Sequence, residues 1–127
     1  MESQKTNDQK ASLQSAKETL RKLKDEINLD KPGRVEAQLD ALASDLLKSG
    51  FSDPMEGAPS LKEVLEKSKT KRAVPDDAIN AAEQLAYLIE ADWYGDDPSD
   101  SEKQKAKEFA NDLYETLNPL LELYGQS

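Results

Sequence analysis

Five acidic side chains in the C-terminal part of the chain are of the residue type that could bind a hard metal ion. They fall within eleven residues and are Asp92, Asp96, Asp97, Asp100 and Glu102. An EF-hand loop requires an oxygen ligand at its third position and a glycine at its sixth. Counted from Asp92, the third residue is Tyr94 and the sixth is Asp97. The pattern fails, so we predict no metal site and keep a carboxylate calcium site as an alternative.

Two tyrosines beside these acids favour a different chemistry, the binding of a basic protein surface. Tyr87 and Tyr94 lie off the strict apolar seam of their helix. Arginine and lysine gain from an aromatic face and from complementary charge, and exposed aromatic residues are typical of interface hot spots. The candidate partner-binding residues are Tyr87, Asp92, Tyr94, Asp96, Asp97 and Asp100.

The same acids also have a structural explanation. The segment Ser99-Asp100-Ser101-Glu102 is typical of a helix start. Negative charge in a first helical turn interacts favourably with the helix dipole and stabilises the helix by a few tenths to about 1 kcal/mol. Solvated caps, a protein-contact surface and a metal site therefore stay open as alternatives for residues 92–102.

The residue types that the chain lacks exclude most enzyme classes. It contains no Cys and no His, which excludes disulfides, zinc sites built on these residues, thiolate nucleophiles and histidine-based catalysis. No Gly-rich phosphate loop is present, and no motif selects one pair among the many carboxylates. We predict a protein that is not an enzyme, with no catalytic residue and no cofactor.

The distribution of charge indicates the kind of partner. The net charge is −9, and residues 76–127 carry three basic against thirteen acidic residues. Residues 1–30 are neutral, with six of each. Because phosphate recognition needs the opposite sign, we predict no direct binding to nucleic acid and disfavour an anionic membrane. A protein partner with a basic surface fits this charge.

Apolar residues recur at spacings of three and four along five segments, which predicts an all-α protein. The predicted helices cover about 8–28, 33–49 and 61–70, then a fourth that opens at 74–77 and ends at Gly95, and a last one from Ser101 onward. Short connections favour an up-down antiparallel four-helix bundle with the short third helix in a crossover loop. We assign residues 1–9 to a flexible N-terminus and 10–127 to a single helical-bundle domain.

Two apolar seams carry specific expectations. In the fourth helix we expect the core seam at Ile79, Ala82, Ala86, Ile89 and Trp93, with a second flank at Ala78, Ala81, Leu85 and Leu88. In the last helix we expect it at Ala106, Ala110, Leu113, Leu117, Leu120 and Tyr124. Because a proline inside a helix removes one hydrogen bond, Pro119 predicts a kink near Asn118 or a break into a short last turn.

Helix ends are marked by local signals. Gly50 occupies the position of a left-handed C-terminal residue, and Phe51 should fold back into the core in a Schellman arrangement. Ser60 and Glu63 match a capping box. The basic run Lys67–Arg72 complements the dipole of a helix end, so we interpret it as a solvated cap and keep contact with an acidic partner as an alternative.

The compartment is not determined by these features. No apolar run approaches the roughly 18–20 residues of a membrane span, and residues 1–10 lack the apolar region of a signal peptide. We expect a soluble protein and favour the cytoplasm, with export after removal of a signal as an alternative. The narrow seams fit a monomer or a weak homodimer.

Several short segments scattered through residues 20–107 follow a recognisable order. They are Ile27-Asn28-Leu29, Pro32, Arg34-Val35-Glu36-Ala37, Leu85-Ala86, Tyr94-Gly95, Pro98 and Glu102-Lys103. This order resembles the small four-helix photosystem II assembly lipoproteins. The middle region is longer here, and the basic-aromatic and Leu-Ala-Gly-His-Tyr segments expected in that family are absent. The resemblance implies a luminal assembly factor that is not an enzyme.

These features predict a non-catalytic acidic helical-bundle protein that binds a basic protein partner. An immunity-type inhibitor, an adaptor and an assembly factor all belong to this class. The alternative is a DNA mimic that occupies a nucleic-acid-binding protein, against which the neutral first part of the chain argues.

Overall fold

All regular structure in the described part of the chain is helical. The computed structural model describes residues 6–27, 31–93 and 99–126, without the side chains of residues 32 and 91–93. Its five helices are α1 (Asn7–Glu26), α2 (Pro32–Lys48), α3 (Leu61–Arg72), α4 (Asp76–Trp93) and α5 (Asp100–Gln126). No strand occurs among these residues, so the prediction of an all-α protein is confirmed.

Capping boxes set the starts of the helices. Ser60 Oγ accepts from the Glu63 N–H at 3.2 Å, and the Glu63 carboxylate accepts from the Ser60 N–H at 3.1 Å. Ser99 and Glu102 form the same reciprocal pair at the start of α5. Both pairs were predicted. A further box, between Thr6 and Gln9, was not recognised, and it places residues 7–9 in α1.

Each of the five helices packs against at least two others. Helix α1 packs against α2 and α5, and α4 packs against α2 and α5. The short α3 lies against α2 and α4. Within the residues described, no helix combines the length and hydropathy needed to cross a membrane.

The same spacing predicts apolar seams in α1, α2 and α3, and most of their residues are buried. The buried ones are Leu13, Ala16, Leu20, Leu23, Val35, Leu39, Leu42, Ala43, Leu46, Leu61, Val64 and Leu65. Ile27 and Leu47, which belong to the predicted seams of α1 and α2, are only partly buried. The pattern found these residues because a spacing of three and four keeps side chains on one helix face.

The predicted seam of α4 is partly wrong. The buried residues are Ala78, Ala81, Ala82, Leu85 and Ile89, most of which belong to the expected flank. Ala86 is exposed, Ile79 is only partly buried, and the side chain of Trp93 lies outside the described residues. Because α4 packs against three helices, its neighbours set the centre of the buried face, and Ala86 falls at its edge.

Helix α5 runs without interruption past Pro119 and Gly125. The predicted break into a short last turn is therefore wrong, while the alternative of a kink near Asn118 stays a prediction. After Leu117 the buried face continues at Leu121, while Leu120 is only partly buried. Loss of one N–H in a long helix that is packed along its length does not end that helix.

The end of α2 follows the predicted left-handed stop with one difference. Gly50 has φ +84° and its N–H donates to Leu47 O at 3.2 Å. The bond to Leu46 O comes from the N–H of Ser52 and not from that of Phe51. The ring of Phe51 is fully buried, so its predicted core position is confirmed.

Candidate partner-binding groove

The structure describes two of the six predicted partner-binding side chains. Tyr87 is 66% exposed on the surface of α4. Asp100 is exposed in the first turn of α5, where it complements the helix dipole. The side chain of Asp92 and the residues Tyr94, Asp96 and Asp97 lie outside the described residues.

Tyr87 borders a surface groove of about 390 Å³ between α2, the start of α3 and α4. We call it the acidic groove. Its lining residues are Glu36, Leu39 and Asp40 from α2, Ser60, Leu61 and Lys62 from the start of α3, and Ala82, Glu83, Ala86, Tyr87, Ile89 and Glu90 from α4. Asp100 is not among them, so the structure does not bring the predicted residues together around this groove.

One apolar face of α4 lies along the acidic groove. Ala82, Ala86 and Ile89 follow one another at spacings of four and three, which keeps them on one side of the helix. Leu39 and Leu61 complete the apolar lining from α2 and α3. Ala82 and Ile89 are buried and form part of the groove floor, while Ala86 between them is exposed to the groove.

Carboxylates surround this apolar strip. Glu36 and Asp40 contribute them from α2, and Glu83 and Glu90 from α4. All four residues are exposed. On α4, Glu83 precedes Tyr87 by four residues and Glu90 follows it by three, so both lie beside the ring on the same helix face.

Lys62 is the single basic residue in the lining, and it is already paired. Its ammonium lies 2.6 Å from the Glu83 carboxylate and 3.9 Å from that of Glu66. The hydrogen bond and the charge of Glu83 raise the pKa of Lys62 above its ordinary value. The groove therefore keeps an excess of negative charge.

The acidic groove can bind an apolar side chain and a cation at the same time. The apolar lining of the groove can shield a hydrocarbon group from water, and the carboxylates around that lining attract arginine or lysine. Among the described residues, no group of three or more acidic side chains is arranged to hold a metal ion. The buried polar residues described are Ser49, Ser52 and Ser68, and each hydroxyl donates a hydrogen bond to a backbone carbonyl.

No known family matches. Comparison of the chain with protein families, with curated proteins and with solved structures finds no match in any of the three. The resemblance to the photosystem II assembly lipoproteins thus gains no support from these comparisons and stays a prediction.

The basic end of α3 makes contacts within the protein. Lys69 forms an ion pair with Asp76, and Lys71 lies 2.8 Å from the Asp53 carboxylate. The hydrogen bond and charge of Lys71 hold the pKa of Asp53 below its ordinary value. The part-buried Arg72 donates to backbone carbonyls of the α2–α3 loop, so this run is more than a solvated cap.

Sequence reasoning missed the α2 and α3 contributions to the groove. Glu36 and Asp40 are separated from Tyr87 by a long stretch of chain, and only the packing of α2 against α4 brings them together. One signal was available, because Ala82 and Ala86 broadened the apolar stripe of α4 beyond what a single core face needs.

Proposed function

We propose that the protein is a non-catalytic binding module that binds a protein partner with a basic surface through the acidic groove. An inhibitor of the immunity type, an adaptor and an assembly factor all belong to this class of binding module. The observation that carries the proposal is a groove with exposed Ala86 over the buried Ala82 and Ile89, surrounded by four exposed carboxylates.

The exposed ring of Tyr87 at the edge of the groove supports this function. Large aromatic residues beside a desolvated pocket dominate many interfaces, and charge complementarity selects the partner and speeds association. The excess of acidic over basic residues in 76–127 adds a long-range attraction for a basic surface.

The finer arrangement of the helices belongs to the same proposal. We infer an up-down antiparallel bundle of α1, α2, α4 and α5, with α3 in the crossover between α2 and α4. Two close approaches support it. A Cβ on Gly50, after the end of α2, would lie 3.2 Å from Gln9 near the start of α1. A Cβ on Gly125, near the end of α5, would lie 3.3 Å from Leu13 of α1.

Spin-label distances test this arrangement, because the chain has no cysteine of its own. Labels at Lys10→Cys and Lys48→Cys should lie closer together than labels at Lys10→Cys and Arg34→Cys. If the distance from position 10 to position 48 exceeds that from position 10 to position 34, α1 and α2 run parallel and the up-down bundle is wrong.

The binding function is tested by charge reversal inside and outside the groove. The groove variant is Glu36→Lys with Glu90→Lys. The control variant is Glu108→Lys with Asp112→Lys on α5, which changes the net charge by the same amount. All four positions are exposed, so we expect both variants to fold.

Photo-crosslinking in the native source, followed by mass spectrometry, identifies a partner, and calorimetry with the purified partner measures its affinity. We expect a basic protein that binds the wild type and the control variant with similar affinity. The groove variant should lose at least about tenfold in affinity. Equal affinity for both variants would show that the partner binds elsewhere.

A further inference from the structure

We propose that the occupant of the acidic groove is one basic amphipathic α-helix whose apolar face lies over the exposed Ala86, with an arginine stacked on Tyr87. This inference rests on the proposed function and specifies the partner's conformation and its anchoring residue. It follows from the shape of the groove, its backbone chemistry and the position of its charges.

The shape of the groove favours one face of a helix. From Ala82 to Glu90 the lining of α4 spans two turns, which corresponds to about 12 Å. A whole helix is about 10–12 Å wide, so a groove of about 390 Å³ admits only the side chains of one face. The small side chain of the exposed Ala86 lets another helix approach closely, as small residues do at helix interfaces.

Backbone chemistry disfavours an extended segment. The walls of the groove are helices α2 and α4, whose interior N–H and C=O groups are already used in their own hydrogen bonds. No strand edge is available among the described residues to pair with an extended peptide. A helix satisfies its own backbone and needs only side-chain contacts.

The position of the charges specifies the flanks of the occupant. Glu36 and Asp40 line the α2 side of the groove, and Glu83 and Glu90 line the α4 side. The occupant should therefore carry basic residues on both sides of its own apolar stripe. The ring of Tyr87 lies between Glu83 and Glu90 along α4. Because Glu83 is already paired with Lys62, an arginine there gains a planar stacking contact and the carboxylate of Glu90, which a lysine matches less well.

The test uses a synthetic probe peptide of about fifteen residues, with leucines at helical spacing flanked by arginines. A second peptide has the same composition in an order that prevents an amphipathic helix. Fluorescence anisotropy measures binding of each peptide to the wild type, to the groove variant E36K/E90K and to the control variant E108K/D112K. We expect the helical peptide to bind the wild type and the control variant at least about tenfold more tightly than the groove variant.

Each other outcome overturns the inference in a distinguishable way. Equal binding of the two peptides, sensitive to the groove variant, would reject the helical occupant and leave the proposed function standing. Binding that both protein variants weaken equally would show general attraction to an acidic protein and reject the groove as the helix site. No binding by the helical peptide would also reject the helical occupant, while the crosslinked natural partner decides the proposed function separately.

The stacking contact has its own readout. Tyr87→Leu should weaken binding of the helical peptide by about threefold to fivefold, and Tyr87→Phe should leave it unchanged, because the ring and not the hydroxyl makes the contact. Replacing the central arginine by citrulline removes the cation, so Tyr87→Leu should then have little further effect. An unchanged effect of Tyr87→Leu on the citrulline peptide would reject the arginine contact.

Discussion

The guanidinium carbon of Arg72 lies 4.2 Å from the centre of the Tyr124 ring. Arg72 also donates from Nε to Phe51 O at 2.8 Å and from Nη2 to Gly50 O at 3.1 Å. The Tyr124 hydroxyl donates to Ser49 O at 2.7 Å. These contacts join the last turn of α3 and the last turns of α5 to the chain segment that ends α2.

Loss of the Arg72 guanidinium should destabilise the fold. Arg72→Met removes two charge-assisted hydrogen bonds and the contact with Tyr124, and we expect a loss of about 2–3 kcal/mol in the free energy of unfolding. The stability of Arg72→Lys should lie between those of the wild type and Arg72→Met, because a single ammonium lacks the planar guanidinium geometry that reaches two carbonyls. Urea denaturation measures the change. The exposed Lys67→Met on the same helix is the control, and an equal effect of both would refute the role of Arg72.

The hydroxyl of Tyr124 should contribute separately from its ring. Tyr124→Phe keeps the edge-on contact with Phe51, whose ring centre is 5.7 Å away, and removes the bond to Ser49 O. We expect a loss of about 1 kcal/mol in the free energy of unfolding. Tyr87→Phe removes an exposed hydroxyl and should cost almost nothing. If Tyr124→Phe also costs nothing, the bond to Ser49 does not stabilise the fold.

Glycine should be needed at position 50 for two reasons. Its φ of +84° lies in the left-handed region, and a Cβ would lie 2.8 Å from the Tyr124 hydroxyl oxygen. We expect Gly50→Ala to cost about 2–3 kcal/mol, measured by urea denaturation. Gly57 has φ +76° and no atom within 4 Å of such a Cβ, so Gly57→Ala carries backbone strain alone and should cost less. Equal costs would show that the contact with Tyr124 has no effect.

Ala73 ends α3 in a conformation that suits glycine better. Its φ is 57°, and it is the only described residue other than glycine with a positive φ. The left-handed conformation costs an L-residue about 1–2 kcal/mol, and glycine avoids this cost. Part of the gain in stability is lost, because glycine also raises the conformational entropy of the unfolded chain. We expect Ala73→Gly to stabilise the protein by up to about 1 kcal/mol. Ala41→Gly, at an exposed position inside α2, should destabilise it by a similar amount. Thermal and urea unfolding compare the two, and destabilisation by Ala73→Gly would contradict this expectation.

The ion pair of Asp53 with Lys71 should make stability depend on pH in the acid range. Because Lys71 lowers the pKa of Asp53 in the folded state, the pair stabilises the protein above the unfolded-state pKa of about 4. That contribution is lost as pH falls below this value and the carboxylate is protonated. Asp53→Asn should therefore be less stable than the wild type at pH 7, and the difference should shrink at lower pH.

Urea denaturation at several pH values measures this difference. Asp112→Asn, which removes an exposed charge from α5, is the control for the change in net charge. A difference between the wild type and Asp53→Asn that grows as pH falls would reverse the expected sign and refute the pair as its source.

Much of the fold was predictable because its signals are local. The α1 seam at Leu13, Ala16, Leu20, Leu23 and Ile27 encodes a helix and its buried face in spacing alone, and all but Ile27 at the helix end are fully buried. The capping box of Ser60 and Glu63 needs only neighbours in sequence. Where one helix packs against several others, spacing alone does not determine which of its apolar residues are buried, as the exposure of Ala86 shows.

The candidate site was predictable only in part. Its aromatic edge, Tyr87, was found from its position off the apolar seam and its acidic neighbourhood. Asp92, Tyr94, Asp96 and Asp97 stay predictions, since their side chains lie outside the described residues. The opposite wall, with Glu36 and Asp40, carries no local signal, because exposed acids on a helix are common.

The sequence by itself determined that the chain is helical, where most helices begin, which residues of α1 to α3 are buried, and that the chain lacks histidine and cysteine chemistry. These properties depend on residue type and on spacings of three and four. Only the tertiary structure decided that Arg72 meets Tyr124 and that α2 and α4 enclose an acidic groove. Such contacts join residues distant in sequence, and their geometry depends on how the helices pack.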